Sequence, residues 1–266
     1  MAYTDAQYEA IIQQLAGAYK TGERNIIRLI AEGRLDDYDA TVARRTLAQI
    51  RITISDLGGV TQDWVRTHVP NLYRSGMNIA DAAMGSRPLA DLTVLHRESI
   101  QAVGENIALR MGDALVRVGR TTNDVFREAG LSALQQGTIL GETRQQATVR
   151  MVADLQERGV AAFVDKSGRQ WSLSSYSEMV VRTESLEAVN GGMINRMAER
   201  GDDLVYVSRH ADACPLCVPW EGEILSISGQ TEGYATLDEA REAGLEHPNC
   251  GHRLLPYNAE YATVEV

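Results

Sequence analysis

The stretch AAFVDKSGRQWSLSSYSE, residues 161–178, is where the reading of this chain stops being helix alone. Two short apolar runs flank the turn residues Asp165 to Gly168, the pattern of a β-hairpin. Ser175 and Glu178 then form an S-x-x-E capping box: the serine hydroxyl accepts from an early helical N–H while the glutamate reaches back to the cap. The helix it opens is expected to run to Arg200 and stop at Gly201, with Met179, Leu186, Val189, Met193 and Met197 along its buried side. Gly191-Gly192 weakens its middle and marks a place where it could break.

Upstream, residues 1–158 read as helix throughout. Tyr8, Ile11, Leu15, Tyr19, Ile26 and Ile30 recur near helical spacing, as do Leu47, Ile50, Ile54 and Leu57. In residues 58–85 the pair Gly58-Gly59, Pro70 and Gly85 predict a division into two short helices. From Leu89 onward, Leu92, Leu95, Ile100, Val103, Ile107, Met111, Leu115 and Val118 mark one face of a long helix. Gly104 and Gly112 lie inside it at about 1 kcal/mol each, and close approach of a neighbouring helix is the expected reason. Further helices are expected over 121–137 and 142–158, separated by Gly141.

Downstream, DLVYVS and EILSIS read as strands, and Thr236 with Glu239 makes a second capping box for a short helix ending at Gly244. The expected class is therefore α+β: an extended, mostly helical N-terminal region, 1–158, and a small α+β domain, 159–266, with a Cys/His-rich loop pair.

Composition narrows the function. No run approaches the roughly 20 apolar residues of a membrane span, and the first residues lack the apolar core of a signal peptide. From residue 151 onward 9 Lys and Arg face 19 Asp and Glu, so the whole net charge of −10 resides there. An acidic half with no cationic run gives no evidence for nucleic-acid binding, which needs clustered cations on phosphate. Three cysteines, two of them in Cys214-x2-Cys217, point to a reducing compartment with thiols free or metal-bound.

HADACPLCVPWEGEI at 210–224 and HPNCGHRLLPY at 247–257 hold every cysteine and three of the five histidines. Zinc wants four N/S ligands in a tetrahedron, and Cys214, Cys217, Cys250 and one of His247 or His252 supply such a set, with His210 as a spare. The cofactor expectation is one structural zinc ion. The second reading also stands: small buried thiols with histidines capping loops. A Cys nucleophile with a His base lacks any feature that singles out one thiol, and no catalytic or cofactor-binding residue is expected. Arg182 and Glu184 share a helix and read as structural, Arg182 pairing with Asp203, Asp212 or nearby loops. Trp171 and Trp220 read as anchors, because no cations interleave with them.

DKSGRQWSLSSYSEMVVRTESLEAVN, GDDLVYVSRHADACPLCVPWEGEILSISG, YATLDEA and HPNCGHRLLPY together resemble the C-terminal region of the phage minor capsid protein 2 family, itself similar to the Mu F-like head morphogenesis proteins. WVRTHVPNLYRSGMNIA at 64–80 resembles that family's W…P..Y..G segment. The resemblance implies a minor protein of a tailed-phage virion head. Its partners would be the portal or the major capsid protein, it would act from the capsid interior or the portal vertex, and it would be made in the host cytoplasm during assembly. The rival expectation is an enzyme, zinc-dependent or nucleotide-handling, acting through the Cys/His cluster with Arg182, Glu184 and His247.

Overall fold

The computed structural model describes residues 2–33, 39–84, 92–134, 144–166 and 168–258. Four helices come first: α1 (Asp5–Glu32), α2 (Ala40–Ala83), α3 (Val94–Leu134) and α4 (Arg144–Arg158). The hairpin β1 (Ala161–Val164) and β2 (Gln170–Ser172) follows, then α5 (Leu173–Arg200), β3 (Leu204–Val207), β4 (Ile224–Ser226), α6 (Leu237–Glu242) and β5 (Leu254–Pro256). A helical N-terminal half and a small C-terminal region with strands make the expected α+β class.

Two expected breaks are absent. α2 runs unbroken through Gly58-Gly59 and Pro70, because its inward positions Ile50, Leu57, Trp64, Val69, Leu72, Tyr73, Met77 and Ala80 are buried along its length. That burial outweighs penalties of about 1 kcal/mol per glycine and about 3 for the proline. α3 likewise continues past Val118, where a separate helix from 121 was expected. Thr122 and Asn123 hydrogen-bond the Gly119 carbonyl without leaving the helix, and Phe126 is buried one turn on. The expected helix start at Leu89 and the punctuation at Gly85 and Gly141 lie outside the described residues.

The chain divides into two compact units, Met1–Ile11 with Val65–Asn106 and Val181–Val266, and Ile12–Trp64 with Ile107–Val180. The second of these is built on Ile12, Leu15, Tyr19, Ile26, Ile30, Ile50, Ile107, Met111, Val118 and Phe126, all buried. Gly22 and Gly33 sit where a Cβ would meet Leu57 and Phe126. The predicted β-hairpin is present, and Arg169 lies 4.1 Å over the Trp171 ring while Trp171 Nε1 donates to Asp165. A cation does therefore stack on Trp171, contrary to expectation, its position set by the hairpin turn.

The start of α5 corrects the first capping box. The helix begins at Leu173, so Ser175 is already inside it, and Ser172 Oγ accepts the Ser175 N–H at 3.2 Å in its place. The other free N–H groups turn to a carboxylate far away in sequence. Buried Glu23 of α1 accepts from Val160 at 2.7 Å, Leu173 at 3.0 Å and Ser174 at 3.1 Å. Gly159, at φ 76°, makes room, since a Cβ there would fall 2.5 Å from Glu23 Oε1.

In the other unit, α5 does not break at Gly191-Gly192. The glycines are there for approach: a Cβ on Gly192 would lie 2.0 Å from the Tyr73 carbonyl oxygen of α2, and one on Gly76 1.8 Å from that of Val189. α5 ends as expected at Gly201, whose φ of 80° lets Asp202 N–H reach back to the Met197 carbonyl. Gly104 meets Val65 as the close-approach reading requires, whereas Gly112 has open space at its Cβ position.

β3 is the centre of a three-stranded antiparallel sheet, β4-β3-β5, with Val205 opposite both Leu225 and Pro256. Met193, Met197, Val205, Val207, Leu225, Leu237, Ala240, Leu245 and Leu254 form its core together with Cys217 and Cys250. The Thr236–Glu239 capping box is present in both directions. Asp203 closes the β3–β4 end, accepting from Ser226 Oγ at 2.5 Å, Thr231 Oγ1 at 2.6 Å and Ser228 N–H at 2.7 Å. Burial works against its ionisation, but these donors outweigh that and hold the carboxyl well below the usual carboxylate range. A depressed folded pKa gives stability that is complete above the unfolded value, about 3.9, and is lost as pH falls from there through the lowered folded value. The urea-unfolding gap between wild type and Asp203→Asn should therefore be about 2 kcal/mol at pH 7 and narrow below about pH 4. A gap independent of pH would contradict this role.

Candidate metal centre

The sheet register brings two distant loops together. Val207 of β3 pairs with Leu254 of β5, and just beyond, Ser208 N–H donates to the Arg253 carbonyl while Arg253 N–H donates to Ser208 Oγ. The loop 208–223 leaving β3 thus lies beside the loop 246–253 entering β5. β5 itself has no sequence signal beyond Leu254-Leu255 before a proline, and its pairing supplies the alignment.

Each loop folds into a tight turn. Cys217 and Val218 N–H groups both donate to the Cys214 carbonyl at 3.0 Å, and residues 218–220 continue as a 3-10 turn. Across from it, Cys250 N–H donates to the His247 carbonyl at 2.9 Å. Asn249 takes φ 64°, and its N–H is held by Thr183 of α5. Asparagine tolerates that left-handed conformation better than most residues.

All five predicted ligands meet here. Cys214, Cys217 and His247 place their donor atoms within 4.8 Å of one another, as do Cys217, Cys250 and His252, so Cys217 belongs to both groups. Cys217 Sγ and Cys250 Sγ are 3.8 Å apart, the edge of a tetrahedron of sulfurs about 2.3 Å from a central zinc. Cys214 Sγ lies 3.1 Å from His247 Nε2, and Cys250 Sγ 3.4 Å from His252 Nδ1. The outer nitrogen of each imidazole has an acceptor: Pro248 O at 2.8 Å from His247 Nδ1, and Glu221 Oε1 at 3.0 Å from His252 Nε2. With the outer N–H donating to these acceptors, a neutral ring turns its inner nitrogen's lone pair toward the sulfurs, the tautomer a metal requires. His210 stays outside: its Nδ1 accepts from Asp212 N–H, and its ring stands 5.8 Å from that of His252.

The thiols are not alike. Burial pushes Cys217 up to about 12, with the adjoining Cys214 and Cys250 thiols adding to it. Burial also opposes ionisation of Cys214, but backbone N–H groups of Cys217 and Leu216, the Cys217 thiol and His247 outweigh it and hold Cys214 near 7. Donors set for three sulfurs and an imidazole fit a soft or borderline cation such as zinc.

A cavity of about 520 Å³ opens beside the cluster, walled further by Tyr8, Glu9, Arg182, Leu186 and Arg253. Arg182 pairs with Glu9 through two bonds of 2.8 and 2.9 Å, not with Asp203 or Asp212, because α1 lies against this face of α5. Arg253 is bonded to Asp5 at 2.7 Å. Glu184 is buried in α5. Of the enzyme trio, Arg182 and His247 line the cavity, and the guanidinium is already engaged.

Sequence reasoning passed over Glu221, one carboxylate oxygen of which, Oε1, faces His252 Nε2 and accepts the backbone N–H of His210, the latter at 2.6 Å. In PWEGE it was indistinguishable from an ordinary charge before a strand. It also passed over the buried ion network of α2, α3 and α5. Arg196, 2% exposed, faces Asp81 and Glu199, Arg200 also pairs with Asp81, and buried His96 bridges Glu199 and Tyr73.

Comparison with known proteins bears on what this arrangement serves. The chain matches the family phage minor capsid protein 2 over residues 3–265. A "structural protein" of Lactococcus phage LL-H is 26% identical over 125 residues, 44% of this chain and 34% of the relative, so the chain spans about a third of that relative's length. No solved structure matches.

Proposed function

The chain belongs to the phage minor capsid protein 2 family, and we propose that it serves as a structural part of a tailed-phage head, binding the portal or the inner capsid face during assembly. The observation that carries this reading is the extent of the family match, which takes in both compact units. In this reading residues 1–158 carry the assembly contacts and 159–266 are the Mu F-like part, although each compact unit draws on both stretches. Apolar side chains left open on the helices suit a binding role: Leu109 and Val116, seven residues apart on α3, are 65% and 53% exposed, and Ile52 on α2 60%. No described helix is long and apolar enough to cross a membrane.

The Cys/His cluster has the structural part in this reading. One zinc ion per chain would tie the loop after β3 to the loop before β5, closing a small sheet at its open end. An enzymatic role has less support: Arg182 is held by Glu9 and the thiols are shared among ligand groups.

Purified virions of the phage that encodes the chain test the assembly role. Crosslinking should join the helical region to the portal or to the major capsid protein. Crosslinks to neither would overturn the proposed contact.

A further inference from the structure

Both histidines of the cluster are oriented for coordination, and a closed tetrahedral site with three thiolates takes only one. We infer that His252, through Nδ1 and positioned by Glu221, is the fourth ligand beside Cys214, Cys217 and Cys250, and that His247 is dispensable for holding the ion. The inference rests on the metal reading above and says how that site is built.

Burial separates the two imidazoles. His252 is 3% exposed, and its group-mates Cys217 and Cys250 are also buried. A buried imidazole needs a partner for its inner nitrogen, and the Cys250 sulfur lies 3.4 Å from it. Both rings border the cavity, but His247 is only half-buried, and its closest sulfur belongs to Cys214, the more exposed thiol.

Backbone spacing points the same way. Cys250 and His252 are two residues apart just before β5, and their donor atoms lie side by side, Sγ 3.4 Å from Nδ1. Gly251 between them lies against His210, where a Cβ would come 2.8 Å from Nε2.

The outer partners also differ in kind. His247 has a peptide carbonyl, whereas His252 has the carboxylate of Glu221. A carboxylate on the outer N–H raises the basicity of the inner nitrogen and fixes the ring, and loss of such a partner typically weakens metal binding 10–100-fold. Glu221 is itself fixed by the His210 N–H, so the ring is held from outside before any ion arrives.

Cobalt(II) titration of the full chain, read by its thiolate charge-transfer and d–d absorption, tests the assignment. Wild type and His247→Ala should each take one ion with the same spectrum. His252→Ala should lose tight binding, and His252→Cys should keep it with stronger thiolate absorption. Glu221→Gln should bind about 10–100-fold more weakly at unchanged stoichiometry. Circular dichroism of each apo chain separates lost binding from lost folding. The assignment is overturned if His247→Ala loses the ion while His252→Ala keeps it, or if Glu221→Gln binds as wild type does. A wild-type chain that takes no cobalt or zinc overturns the metal reading itself, an outcome distinct from either.

Discussion

Gly192→Ala and Gly76→Ala should each destabilise the chain by about 3–5 kcal/mol, while Gly191→Ala changes stability by less than about 1 kcal/mol. The three substitutions add the same methyl group within helices, and alanine is the better helix former by about 1 kcal/mol, so propensity alone predicts three gains. Packing reverses two of them. The new carbon would lie 2.0 Å from the Tyr73 oxygen or 1.8 Å from the Val189 oxygen, and those are backbone atoms that no rotamer change can move. α2 and α5 would have to separate along the crossing, loosening Leu72, Tyr73, Met77 and Met193 together. At Gly191 the nearest atom is Tyr73 Cε2 at 3.7 Å, an ordinary contact. Urea unfolding of the three variants checks this, and equal effects at 191 and 192 would contradict the crossing.

Glu23→Ala should be comparably severe, about 3–5 kcal/mol, although it removes a charged side chain from a helix surface position by sequence. Its carboxylate is 5% exposed and serves three N–H groups around the β-hairpin and the start of α5. Leu173 N–H keeps a second acceptor in the Val160 carbonyl, but Val160 and Ser174 N–H groups are left without Glu23, at about 1–3 kcal/mol each. The negative charge at the α5 N-terminus is lost as well. Glu23→Gln should fall between alanine and wild type, since its one oxygen still accepts while its amide turns donors toward donors. Hydrogen exchange at Val160 and Ser174 should quicken in both variants. Unchanged exchange with unchanged stability would show that Glu23 is not the cap.

The two cases also mark where the sequence was legible. Signals decided within a few residues were readable: the 165–168 turn, the strands at 204 and 224, the Thr236 cap and the stop at Gly201. So was the set of five cysteine and histidine side chains that the fold gathers, because C-x2-C and H-x2-C-x-H concentrate rare donors. Decisions made between distant segments were not. Gly58-Gly59 and Pro70 carry breaker chemistry that burial of α2 overrides, and Gly191-Gly192 looks like weakness until the Tyr73 backbone is placed against it. Ser175 satisfies the local rule for a cap, yet Ser172 and a glutamate about 150 residues earlier take the work. Glu221 carries no pattern at all; only the fold sets it behind His252.

The central claim is that this chain is built into a virion head, and the protein content of purified virions tests it most directly. Quantitative mass spectrometry of gradient-purified particles should find the full chain at a fixed ratio to the portal protein, and retained after treatment of intact particles with protease. Particles that lack the chain while the infected cell contains it would contradict the account.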